Sequence, residues 1–192
     1  MSSLDPNCPS SVDVSGMSRE FQLAKTIAIG LHAGEVIDVN VDADIVGMQY
    51  GFQICQEEIV RFLKMESLDI CAVTLFCICL YQQLDLKANK MFGLLCPNMV
   101  QQKTDDNDKI AYLSSTFLRG TKKYYLAPYY ESCHWTLCVI CPSSYEAFWF
   151  DSIDSQPSQD IKQIIEVSFK QAALKGRTSA NRYSTTKWVI CP

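Results

Sequence analysis

Histidine is scarce in this sequence, with only His32 and His134 among 192 residues. A protein zinc site draws on clustered His and Cys, so a metal here would rest almost wholly on cysteine. The CxxC pair Cys138-Val-Ile-Cys141 lies in an apolar run that reads as a strand, where residues three apart point to opposite faces. A redox pair would open a helix, whereas Pro142 closes this run. No metal and no cofactor are expected. Positive charge is short as well: 17 Lys and Arg against 21 Asp and Glu leave a net charge of −4 and a pI near 5.2. Such a chain has no general attraction for a polyanion, and Arg119, Lys122 and Lys123 are too few to form a nucleic-acid patch. A long apolar run is missing too. Residues 68–84, LDICAVTLFCICLYQQL, fall short of the roughly 20 needed to cross a bilayer and lack flanking basic clusters. They read as a buried core helix, and no membrane partner is expected. The opening MSSLDPNCPSS has no basic stretch followed by an apolar one, so no secretory signal is expected. The ten cysteines then read as reduced, buried thiols acting as small hydrophobes.

What is present is a chain with 48% hydrophobic and 20% charged residues, enough for one domain with a sizeable core. Residues 1–20 are aperiodic and rich in Ser, Asp and Pro, and read as a mobile tail. Residues 21–54 form a lead-in in which Val36-Ile-Asp-Val-Asn-Val41 alternates like an edge strand. His32, flanked by glycine-containing sequence and far from other ligating residues, reads as a loop residue. Residues 56–64, QEEIVRFLK, have the acids and apolar stripe of a short amphipathic helix. Thr104 caps a helix over 104–119 that ends at Gly120. A serine in Ser155-Gln-Pro-Ser158 caps another over 159–174. KWVIC, residues 187–191, reads as a last core strand.

Residues 123–153, KYYLAPYYESCHWTLCVICPSSYEAFWFDSI, organise the rest. Apolar and aromatic residues with turn-forming interruptions predict three successive strands. His134 begins one strand and Asp151 follows the next, so antiparallel pairing through Pro142-Ser-Ser144 would bring them together. A carboxylate that accepts a proton from one ring nitrogen fixes the tautomer and aims the other nitrogen as a base, as a Ser or Cys nucleophile requires. The structural alternative is that His134 caps a strand and Asp151 starts a turn. Spacing alone leaves both open.

Pro128-Tyr129, the run His134-Trp-Thr-Leu-Cys-Val-Ile140 and the run Trp149-Phe-Asp-Ser-Ile153 resemble the PY-x-x-x-HW-x-L-x-V/I and aromatic-D-S-L/I stretches of the ubiquitin-like-protein-specific (SUMO) cysteine proteases. Those enzymes are relatives of the adenovirus proteinase, and the likeness is greatest to transposon-associated plant members. It covers roughly residues 55–192. It implies an α+β, papain-like or adenain-like fold with a central mixed sheet flanked by helices, and a cysteine-type peptidase acting on SUMO or another ubiquitin-like protein in the nucleus or cytoplasm. His134 would be the general base and Asp151 the residue orienting it. The family's W-L-N/D helix start corresponds to Ser67-Leu68-Asp69, which makes Leu68 and Asp69 candidate substrate-binding residues. Ser67 stands where the family has the Trp that covers the tunnel for the substrate's terminal glycines. Trp135 either supplies an aromatic wall there or belongs to the core.

In the family a W-x-V-x-C-P strand is followed by a Gln that builds the oxyanion hole and an Asp-Cys-Gly that carries the nucleophile. Residues 188–192, WVICP, match the strand, and neither later piece occurs. The expectation is therefore a domain truncated before its nucleophile and inactive as written. The alternative is a non-catalytic module that binds a ubiquitin-like protein. Cys191 precedes the expected Gln, and Cys133, as the strand neighbour of His134, would point away from the imidazole.

Overall fold

The computed structural model describes residues 8–32, 34–66, 68–101, 103–176 and 185–191. The chain divides into two compact units, Met1–Asp42 with Gln49–Ile78, and Ala43–Met48 with Cys79–Pro192.

The first unit contains a 3-10 turn, Pro9–Ser11, a helix α1, Arg19–Gly30, the strands β1, Val36–Val41, and β2, Tyr50–Cys55, and a helix α3, Gln56–Leu63. β1 and β2 pair antiparallel, Val36 opposite Cys55 and Val41 opposite Tyr50. Val12, Val14, Ala28, Val60 and Leu63 form its core, with Phe21 and Phe62 stacked 5.0 Å apart. Val12 and Val14, near the chain start, are buried, because apolar side chains gain more from cover than from water. Thr26–Ile29, placed in the lead-in, is helical. Its residues Phe21, Ala24 and Ala28 recur at helical spacing and face the core. Gln56 Nε2 ties the end of α1 down, donating to Ala28 O at 2.8 Å and Leu31 O at 2.7 Å.

A further helix, α4, Ile70–Gln82, runs across the division between the units. It is shorter than expected and less enclosed: Val73, Thr74 and Cys77 are buried, whereas Phe76 is 67% exposed. A helix apolar all round has no stripe to mark which side is covered.

The second unit holds the short helix α2, Ala43–Val46, then α5, Leu86–Met91, β3, Phe92–Leu94, α6, Pro97–Val100, and α7, Asp106–Arg119. The strands β4, Tyr124–Glu131, β5, His134–Cys141, and β6, Glu146–Phe150, follow, then α8, Gln159–Lys175, and β7, Lys187–Cys191. The five strands form one mixed sheet in the order β3-β4-β5-β6-β7, with the central pairs antiparallel and the outer pairs parallel. Asp105, rather than Thr104, caps α7, its carboxylate accepting the Asn107 N–H at 2.9 Å. Ser158 is the N-cap position of α8 and makes no side-chain cap bond.

The register sorts side chains by face. Tyr125, Ala127 and Tyr129 of β4, His134, Thr136, Cys138 and Ile140 of β5, and Ala147 and Trp149 of β6 share one face. Phe117 of α7 lies 5.9 Å from Tyr125 and 5.2 Å from Phe169 of α8, so both helices cover that face. Tyr129 and Trp149, each 1% exposed, tilt against each other at 6.0 Å. Burying each such side chain contributes about 1.5–3 kcal/mol. Leu137, Val139 and Phe148 lie on the other face and are half-buried.

Candidate active site

The β4–β5 hairpin closes on two residues, Ser132 and Cys133, both at positive φ (52° and 62°), with Glu131 paired to His134. Two left-handed residues in a two-residue loop give the backbone of a type I′ turn, whose twist matches the flanking strands. This turn starts β5 at His134. Cys133 is therefore an exposed turn residue and not a strand neighbour of His134, which corrects the geometric reason given for discounting it.

At the other end, β5 pairs with β6 down to Leu137 opposite Phe150. The chain leaves β6 one residue later, and Asp151 continues the Ala147–Trp149 face toward the His134 end of β5. The two side chains meet, with His134 Nε2 2.7 Å from Asp151 Oδ1. Asp151 is 5% exposed. Two further donors satisfy it: the Ile153 N–H donates to Oδ1 at 2.9 Å and the Ser155 hydroxyl donates to Oδ2. Asp154, at φ 57°, turns the loop, and the Trp149 indole N–H holds it by donating to Ser155 O at 3.0 Å.

Burial pushes the Asp151 carboxyl up, but the Ser155 hydroxyl, the Ile153 amide and the His134 ring together hold it below the ordinary carboxylate value. The group is thus ionised at neutral pH. An ionised carboxylate only accepts, so the ring nitrogen facing it, Nε2, carries a proton and donates it.

No family model matches the chain. No curated protein matches it either. Among solved structures it is similar to a de-sumoylating protease at 14% identity, with a TM-score of 0.49, over 84% of this chain and 65% of that one. The chain thus spans less than two thirds of that protein's length.

Trp135 is on the sheet face opposite His134, its ring 5.0 Å from Tyr130, the residue it pairs with. Leu68 and Asp69 belong to the first unit. Asp69 is engaged at the start of α4, where its carboxylate accepts the Ala72 N–H at 2.9 Å. Ser67 lies outside the described residues, as does Pro192. His32 donates its N–H to Glu35 Oε2 at 2.8 Å in the loop after α1. Cys138 is buried on the His134 face and Cys141 on the other, and burial drives the Cys138 thiol far up. Among the described residues no group of three or more His, Cys, Asp or Glu is placed to hold a metal, and no helix is long and apolar enough to cross a membrane.

Sequence reasoning missed Ser155 as a ligand of the acid, giving that stretch only a helix cap. The Ile153 bond is an Asx-turn of the kind Asp favours and was readable in Asp-Ser-Ile. The Ser155 bond depends on the left-handed Asp154, which carries no comparable signal.

Proposed function

We propose that His134 and Asp151 are the base and orienting acid of a cysteine-type peptidase site for SUMO or another ubiquitin-like protein, on a papain-like or adenain-like scaffold. One observation carries the reading: a partly exposed imidazole bonded at 2.7 Å to a buried carboxylate that two other donors also hold. A structural strand cap needs no such anchored acid, whereas a base that must present Nδ1 in one direction does. The His-Trp and Asp-Ser pieces, in the order and spacing of the SUMO proteases, supply the substrate class.

In a peptidase of this kind, Nδ1 takes the proton of a thiol as its sulfur attacks the scissile carbonyl, then returns it to the leaving amine. Throughout, Asp151 stabilises the imidazolium. The sequence contains no Asp-Cys-Gly. In a related triad, loss of the nucleophile alone removes on the order of a millionfold in turnover. The 192-residue polypeptide is accordingly expected to bind without cutting. The same observation favours a second reading, a module that binds a ubiquitin-like protein and never cleaves it.

The test is to titrate the chain with SUMO and with ubiquitin, and to incubate it with their C-terminal fluorogenic conjugates. Binding without hydrolysis supports the proposal. Hydrolysis that disappears in His134→Ala supports the peptidase site and overturns the expected inactivity. Absence of both binding and hydrolysis sinks the proposed function.

A further inference from the structure

The end of the β4–β5 hairpin projects beyond the rest of the sheet. β3 pairs with β4 only to Leu126, where Leu95 N–H donates to Leu126 O at 2.8 Å, and β6 pairs with β5 only as far as Leu137. Residues 128–131 and 134–136 therefore form a two-stranded tip, a structure that by itself is marginal in water. Along its β5 edge the tip is held by the His134–Asp151 bond. Along its β4 edge, among the described residues, the hydrogen bonds from outside the ladder come from the side-chain amide of Gln101. Gln101 is only 9% exposed. Its Oε1 accepts the Tyr130 N–H at 2.9 Å, and its Nε2 donates to Pro128 O at 3.3 Å and to Pro97 O at 2.6 Å. Pro128 O and Tyr130 N–H are outward-facing groups that another strand would otherwise take, so the carboxamide replaces one strand residue and binds the tip to the end of α6.

We propose that Gln101 is a positioning residue for His134, acting through Tyr130 and the I′ turn to keep the imidazole aimed at Asp151. As a device for holding a base it rests on the peptidase reading. The mechanical claim stands apart from that reading and is tested without turnover. Without the amide, the tip keeps its β4–β5 ladder and the packing of Tyr129 on Trp149 but loses its hydrogen bonds to the end of α6, and its outer residues gain freedom to move away from the loop that carries Asp151.

The experiment uses the isotope-labelled 192-residue chain and Gln101→Met, which keeps the length of the side chain and removes its hydrogen bonds. The Tyr130 amide should exchange roughly tenfold faster, as expected for loss of one hydrogen bond. Recorded where the ring is neutral, the His134 nitrogens should be well separated in the wild type, with Nε2 donating to Asp151, and should move toward their tautomer average in the variant. Ile165→Val, which thins the core under the sheet, is the control for general loosening and should leave the ring signals in place. Ring signals unchanged in Gln101→Met, or shifted as much by Ile165→Val, would overturn the proposal. Should Gln101→Met not fold, the wild type decides: a Tyr130 amide exchanging as fast as an open-loop amide refutes the anchor, and a protected one supports it. If ubiquitin-like proteins fail to bind yet Gln101→Met frees the ring, the peptidase reading falls and the anchor remains.

Discussion

Replacing Asp151 by Asn removes a charge and keeps a shape, whereas Asp151→Ala removes both, and the structure gives different costs for the two. Three donors converge on the carboxylate, from His134, Ile153 and Ser155. A hydrogen bond to a charged group contributes about 1.5–3 kcal/mol against about 0.5–1.5 kcal/mol for a neutral one. Neutralising the shared acceptor then costs about 1 kcal/mol per donor. The His134 side chain is 26% exposed and recovers part of its share from water, so Asp151→Asn should destabilise by about 2 kcal/mol. Asp151→Ala leaves the Ile153 amide and the Ser155 hydroxyl unpaired, at about 1–3 kcal/mol each, and should cost about 2–6 kcal/mol. The pH dependence separates charge from packing. The folded carboxyl titrates below its unfolded value, which is about 3.9, so on acidification the unfolded chain takes up the proton first. The extra stability is complete above about pH 4 and is lost as the pH falls through the folded value. Urea unfolding of wild type and Asp151→Asn should therefore differ by the full amount at about pH 5 and by progressively less as the pH falls through the folded value. The lowered carboxyls of Asp13, Glu57 and Glu146 are common to both chains and cancel. A difference independent of pH, or an Ala variant no worse than Asn, would refute this account of the carboxylate.

Ser155→Ala should raise the Asp151 carboxyl and move the acid limb of unfolding to higher pH, because it deletes the leading interaction that lowers it; a carboxyl titration followed by carbon NMR checks this. Cys133→Gly should stabilise the chain by about 1 kcal/mol by relieving a left-handed non-glycine residue, read as a higher Tm, since Cys133 stands at φ 62°. Gly120→Ala should be among the most damaging single changes, costing about 3 kcal/mol or more. Its Cβ would lie 2.5 Å from Thr116 O and closer still to the Tyr125 hydroxyl, whereas the nearest atom to a Cβ at Gly93 is 3.0 Å away. Expression and thermal unfolding of the two variants should rank them in that order.

The meander was readable because its signals agree: β-branched and aromatic runs, Pro and Ser at the breaks, and strand lengths that put His134 and Asp151 at neighbouring strand ends. Contact between the two follows from that pattern. Their chemical role does not, since a strand cap and a catalytic pair look alike in spacing. α3, α7 and α8 were legible from acids at the start and an apolar stripe. α4 was not, because a uniformly apolar helix does not show which side is covered, and Phe76 proved exposed. The placement of Val12 and Val14 was hidden by the Ser and Asp around them. Gln101 left no trace at all, since an amide completing a distant strand edge, at Pro128 and Tyr130, has no local pattern.

The acid and the imidazole stand 17 positions apart, and every ligand of Asp151 comes from the same short run of the chain. Synthesis proceeds from the N-terminus, so this run exists before any of α8 or β7 has been made. Contacts of low sequence separation form early because little loop entropy opposes them. The polar knot can thus close on the nascent chain while the sheet is still a meander, and β7, arriving by way of α8, adds to an edge whose geometry is already set.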